Sequence, residues 1–166
     1  MEVLSIKELS VVKKDRLRGK REVLKTVNLS LDRGEWVVVC GEEFSGVTEL
    51  LQTVAGGVGN RNRVREGNVE YSPSMNLGVV DPMGERFHYS ALSVREYCEA
   101  HLEGNRGQAV PDEDWEPLFF EVGLLEPERL LSESLGSVSE LDFVRLSFLK
   151  CLLSGSDFLI AHDPTR

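Results

Sequence analysis

The chain is poor in several things that would narrow its role at once. It has three cysteines in 166 residues, Cys40, Cys98 and Cys151, far apart and with no C-x-x-C pair. That spacing excludes a disulfide framework and gives no zinc ligand set; reduced, buried thiols are the expectation. No apolar run approaches the length needed to cross a bilayer, and the opening "MEVLSIKELS" lacks the basic start and apolar centre of a signal peptide. Positive charge is also short: 19 Lys and Arg stand against 28 Asp and Glu, a net charge of −9. Such a balance repels nucleic acid and anionic lipid, so no nucleic-acid partner and no membrane insertion are expected. Basic residues gather only in "KKDRLRGKR" (13–21) and "RNRVR" (61–65), read as a solvated loop or an edge strand. Neither repeats nor low-complexity tracts occur, and the composition is globular and long enough for one buried core.

What is present alternates between strand and helix patterns. Residues 2–12 are rich in Val, Leu and Ile, and Val27, Leu29 and Leu31 alternate with polar neighbours, so two strands are predicted. "DRGE" (32–35) reads as a turn, and "WVVVC" (36–40) as a strand covered on both faces. "TELLQTVAGGV" then predicts a helix with Leu50, Leu51 and Val54 on one side, ended by Gly56 and Gly57. "MNLGVV" (75–80) predicts another strand, closed by Asp81-Pro82. Ser93 and Glu96 form a capping-box pattern before Val94, Tyr97, Cys98, His101 and Leu102 at helical spacing, with His101 read as a boundary residue. Residues 103–114 read as a loop, and Trp115, Leu118, Phe119 and Val122 as a helix stripe belonging to a core. Ser139 and Asp142 cap a last helix whose Leu141, Val144, Phe148, Leu149, Leu152 and Leu153 predict burial over a wide face, before a buried strand "FLIA" (158–161).

Between the apolar run and the first helix lies "GEEFSGVTEL" (41–50). Gly41 and Gly46 are separated by four residues, and Thr48 stands where a magnesium-binding hydroxyl belongs. A phosphate loop needs a buried strand before it and a helix N-terminus after it, and both are predicted here. The position that calls for lysine holds Val47, and Glu43 and Glu49 add negative charge beside Glu42.

Six segments in order resemble the ABC (ATP-binding cassette) ATPases, over about residues 3–165. "VLKTVNLSLDRGE" resembles the approach to the phosphate loop, and "GEEFSGVTEL" stands in place of G-E-S-G-S-G-K-S-T-L. "VVDPM" (79–83) is similar to F-Q-D-P-M, and "ALSVREY" (91–97) to L-T-V-x-E-N. "VSELDFVRLSF" (138–148) occupies the place of the signature, and "FLIAHDPT" (158–165) that of L-L-I-A-D-E-P-T. The wording is nearest to the peptide- and nickel-import branch.

The resemblance implies an α/β, P-loop NTPase-like cassette: antiparallel N-terminal strands, a parallel-sheet core and a helical subdomain, without the C-terminal part. It implies one domain over 1–166, with a core at 1–90, a helical subdomain at 91–140, and a signature-type helix and Walker B-type strand at 141–166. Carried over residue by residue, the nucleotide loop is Gly41, Glu42, Glu43, Phe44, Ser45, Gly46, Val47, Thr48 and Glu49. The signature is Ser139, Glu140, Leu141 and Asp142. Metal positions are Thr48 and His162, and Asp163 takes the place of the catalytic glutamate.

The departures fall on chemistry. Val47 replaces the lysine, Phe44 a glycine, Val80 the glutamine that senses metal and water, Glu140 and Leu141 the signature glycines, and His162 the metal aspartate. ATP and magnesium are thus expected to bind weakly or not at all. The leading expectation is a cytoplasmic, non-hydrolysing subunit, peripheral at the inner membrane face. It would act by contact with another ABC ATPase subunit, a membrane permease or a complex scaffold. Two alternatives stand beside it: an unorthodox ATPase in which Lys13, Lys20 or Arg145 supplies charge and Asp163 the base, or a truncated, decayed product.

Overall fold

A computed structural model describes residues 1–15, 19–42, 44–56, 63–80, 88–102 and 111–162. The described chain forms two compact units, Met1–Met75 and Asn76–Arg166.

In the first unit, β1 (Glu2–Asp15) lies between β2 (Gly19–Asp32) and β3 (Arg63–Tyr71), antiparallel to both. The expected first two strands are present and longer than their apolar patterns. The basic segment of 61–65 enters β3, an edge strand, as one of its two readings had it. Leu4, Ile6, Leu9, Val11, Leu24 and Leu31 are buried along the sheet, together with Leu50 and Val54 of α1 (Val47–Val54). The turn at Asp32–Glu35 closes as expected: the Glu35 N–H donates to the Asp32 carbonyl at 3.1 Å, and the Asp32 N–H donates to the Glu35 carboxylate at 2.7 Å. Gly56, at φ 76°, follows α1 in the left-handed conformation that ends helices; Gly57 lies outside the described residues.

Residues 36–40 depart from expectation. They form no strand, and Trp36 is 95% exposed and Val38 84%. An apolar run is held as a strand by neighbours on its edges and layers on its faces. None of the described strands pairs with this one, so its β-forming residues alone do not make it one.

The second unit pairs β4 (Leu77–Val80) with β5 (Phe158–Ala161) in parallel. Around them lie α2 (Val94–His101), α3 (Asp112–Glu121), α4 (Pro127–Ser132) and α5 (Glu140–Leu153). Their core joins Tyr97 and Cys98 of α2, Trp115 and Phe119 of α3, and Phe143, Leu146 and Leu149 of α5. Burial pushes the Cys98 thiol up to about 12, so it stays protonated. His101 is half-buried and its Nδ1 lies 2.7 Å from the Tyr97 carbonyl, a boundary position as expected.

α5 is well buried, as expected, but its covered face matches the spacing only in part. Val144, Leu149 and Leu153 are buried, but Leu141 is 60% exposed and Leu152 50%, while Phe143, Leu146 and Cys151 are buried instead. The helix carries apolar residues nearly all round, so periodicity alone does not select the face that neighbours cover. β5 is likewise covered on one side only: Ile160 is buried and Leu159 is 43% exposed. The helix α4 had no sequence signal strong enough to predict it; it is six residues long and begins after Glu126 in the left-handed conformation. Asp81-Pro82 and most of the 103–114 segment lie outside the described residues, although α3 begins at Asp112 inside that expected loop. No helix among the described residues is long and apolar enough to cross a membrane.

The capping box is present in full. The Glu96 N–H donates to Ser93 Oγ at 3.2 Å, while the Ser93 N–H and hydroxyl both donate to the Glu96 carboxylate at 2.8 Å. These bonds hold the Glu96 carboxyl below its usual value. A depressed carboxyl stabilises the fold above its unfolded pKa, and that contribution is lost as pH falls through the folded one. Ser93→Ala is therefore expected to lower the urea midpoint at neutral pH, and the gap to wild type should narrow as pH falls from about 5 to about 3. A gap independent of pH would exclude the carboxylate from the cap.

The two tryptophans also differ, Trp115 being fully buried and Trp36 almost fully exposed. Trp36→Phe should remove the red-shifted, acrylamide-quenched part of the emission and leave a blue, protected remainder. Equal quenching of both would place Trp36 inside a packed layer.

Candidate functional site

The loop between residue 40 and α1 is shaped by two glycines. Gly46 sits at φ 96°, where side chains are rarely tolerated, and a β-carbon there would stand 2.3 Å from the Val23 carbonyl oxygen of β2. The start of α1 is thus pressed onto the sheet backbone, and the Leu50 N–H donates to the Gly46 carbonyl at 2.9 Å. At Gly41 a β-carbon would lie 2.1 Å from Ser45 Oγ and 2.9 Å from Val47 Cγ2. The loop therefore folds back on itself, its turn closed by the Ser45 N–H donating to the Glu42 carbonyl at 3.0 Å. Ser45 and Val47 take up the space beside Gly41.

Phe44 adopts φ 65° and is 75% exposed. Phe44, standing where the resemblance has a glycine, holds this conformation under strain: the left-handed region costs an ordinary residue about 1–2 kcal/mol. Thr48 is exposed and Glu49 half-buried, whereas Glu43 lies outside the described residues. Two cations of the sheet reach this loop. Arg21 Nη2 donates to the Phe44 carbonyl at 3.4 Å, and Lys13 Nζ lies 3.5 Å from the Glu49 carboxylate. Of the proposed substitute charges, Lys13 is therefore at the loop, while Lys20 is exposed on β2. Arg21 did not stand out in the sequence, because only the β1–β2 register, Lys13 opposite Arg21, carries it there.

The remaining positions belong to the second unit. Val80, in the place of the sensing glutamine, is fully buried. Its carbonyl accepts from the His162 N–H at 3.2 Å, and the neighbouring Val79 carbonyl accepts from Lys150 Nζ at 2.8 Å. His162 is half-buried just past β5, and Asp163 lies outside the described residues. At the signature position, Ser139 Oγ accepts from the Asp142 N–H at 3.1 Å and donates to Asp142 Oδ2 at 2.7 Å. Arg145 Nη1 holds the other carboxylate oxygen at 3.1 Å. Ser139 and Asp142 thus spend their polar atoms on capping α5, and Glu140 and Leu141 face solvent. Arg145 is occupied in this cap. Among the described residues no three His, Cys, Asp or Glu side chains group as metal ligands.

No family model matches the chain. Solved structures match it through the whole of its length. The bacterial ABC transporter cassette MJ0796 covers 98% of this chain and 74% of its own, with a TM-score of 0.72 at 20% identity. The chain has the ATP-binding-cassette fold. Curated relatives agree in sequence: the zinc import ATP-binding protein ZnuC of Chromohalobacter salexigens is 29% identical over 159 residues, 95% of this chain and 60% of the relative. The taurine import ATP-binding protein TauB of a Jannaschia species is 27% identical over 151 residues, 88% of this chain and 54% of the relative. The chain spans little more than half the length of these relatives. They are import ATP-binding proteins for zinc and taurine, and lend no support to the peptide or nickel branch.

The two unusual residues of the loop should respond in opposite senses. Gly46→Ala is expected to destabilise the cassette by about 2 kcal/mol or more, since backbone stands where the methyl group would go. Phe44→Gly relieves about 1–2 kcal/mol of strain against about 0.5–1 kcal/mol of added unfolded-state entropy. Urea titration should therefore find it neutral or more stable by up to about 1.5 kcal/mol. A loss comparable to that of Gly46→Ala would mean that Phe44 is held by packing.

Proposed function

We propose that this chain is an ABC-type subunit that does not hydrolyse ATP and acts through protein contacts. Its partners are another ABC subunit and a membrane permease or complex scaffold, at the cytoplasmic face of the membrane. The observation that carries this reading is the loop interior. Ser45 and Val47 fill the space beside Gly41, no cation replaces the lysine from within the loop, and Glu42 and Glu49 add negative charge. A magnesium-bound triphosphate draws on open amides and a positive side chain, and the crowding at Gly41 together with the missing lysine speaks against tight binding here. The cap at Ser139 and Asp142 and the apolar Val80 support the same reading at the other positions.

A second reading, an unorthodox ATP-binding subunit, is favoured by Arg21 and Lys13 beside the loop. In it Thr48 would meet magnesium and Asp163 would act as base.

Calorimetry separates the two. Wild type should bind magnesium-ATP only in the millimolar range or beyond. The double variant Val47→Lys, Phe44→Gly should gain about one to two decades, as a charge-assisted hydrogen bond contributes roughly 1.5–3 kcal/mol. Tight, magnesium-dependent binding by wild type, with turnover abolished by Asp163→Asn, would establish the second reading instead.

A further inference from the structure

Two basic segments about forty residues apart in sequence meet at one end of the three-stranded sheet. Lys13 of β1 is in register with Arg21 of β2 on one side and with Arg63 of β3 on the other. Arg65 is in register with Val11, two residues along β1 from Lys13. Directly paired residues project to the same face, as do residues two apart on a strand. Lys13, Arg21 and Arg65 therefore share a face, while Lys20, in register with Lys14, belongs to the opposite one.

This arrangement is unfavourable by itself. Like charges directly opposite on neighbouring strands repel at a spacing of about 5 Å. In a chain of net charge −9, such a concentration of cations is local and specific. Among the described residues, the contacts of Lys13 and Arg21 are long, at 3.5 and 3.4 Å, and each engages only part of the side chain's donors. The shared face is also bounded. Glu49 stands beside Lys13 at its edge, and Glu66, next to Arg65 on β3 and in register with Ser10, projects to the other face and leaves the patch itself cationic. A long polyanion extending past Lys13 would meet the Glu49 carboxylate; a short one need not.

We propose that this face of the sheet end binds a short polyphosphate anion, gripped by Lys13, Arg21 and Arg65. The charge comes from the strands, outside the loop where Ser45 and Val47 crowd Gly41. The anion is either a free polyphosphate or the phosphate tail of a nucleotide, and magnesium plays no part. The proposal goes beyond the function proposed above and does not rest on it.

The test titrates the whole chain with inorganic tripolyphosphate by calorimetry, without magnesium and at about 50 mM salt, where surface charges are little screened. Binding at about 0.1 mM or tighter is expected, together with a higher melting temperature. ATP without magnesium should bind alike and adenosine not at all. Arg21→Glu and Arg65→Gln should each weaken binding tenfold or more, whereas Lys20→Glu, on the other face, should change it less than about threefold. Circular dichroism confirms folding, and either of the first two variants suffices if the other fails to fold. Absence of binding at 5 mM tripolyphosphate would overturn the proposal, and so would equal losses from Lys20→Glu and Arg21→Glu. Binding of single-stranded RNA, or of ATP, without binding of tripolyphosphate would overturn it as well. Because neither magnesium nor turnover is read, these outcomes are separable from those that decide hydrolysis.

Discussion

At position 46 the carbonyl of Val23 leaves no room for a β-carbon, and the geometry of the loop follows from that approach. It sets how α1 leaves the sheet, and it keeps the Phe44 carbonyl within reach of Arg21 and Glu49 within reach of Lys13. It also gives a reason for a glycine that is independent of any phosphate. Backbone packing demands Gly46 with or without a nucleotide, and the crowding of Ser45 and Val47 demands Gly41 likewise. A glycine spacing can thus persist where the chemistry associated with it has no lysine to complete it.

The second unit depends on a different device. α5 buries Phe143, Leu146, Leu149 and Cys151, and Lys150 ties it to β4 through the Val79 carbonyl. A buried ammonium needs acceptors, and a backbone carbonyl supplies one without a second charge. The cap built by Ser139 and Asp142 starts this helix, so the residues in the signature's place are committed to the fold before any ligand is considered.

Much of the fold was legible because local rules agreed with the tertiary outcome. The alternation at Val27, Leu29 and Leu31, the turn at Asp32–Glu35 and the box at Ser93 and Glu96 each carry their own physical cause. What failed was burial inferred from composition. "WVVVC" has every residue a covered strand wants, yet covering is supplied by neighbours, which no property of five residues records. The same holds for Leu141 and Leu152 on α5 and for Leu159 on β5. At the candidate site, the identities at 44 and 47 were readable, but their postures were not. The approach of Arg21 depends on a strand register that bulges at several points along β1, which sequence spacing does not encode.

The exposed run at 36–40 has a consequence during biosynthesis. Trp36, Val37, Val38, Val39 and Cys40 are apolar, rich in β-branched residues, uncharged and free of proline, the composition of an aggregation-prone segment. Arg33 and Glu35 precede it and Glu42 follows closely, so charges bracket it on both sides. Flanking charges of this kind act as gatekeepers, making the stacking of identical segments from separate chains electrostatically costly. The solubility of the polypeptide at high expression therefore draws on three charged side chains, one of which, Glu35, also closes the turn by accepting from the Asp32 N–H.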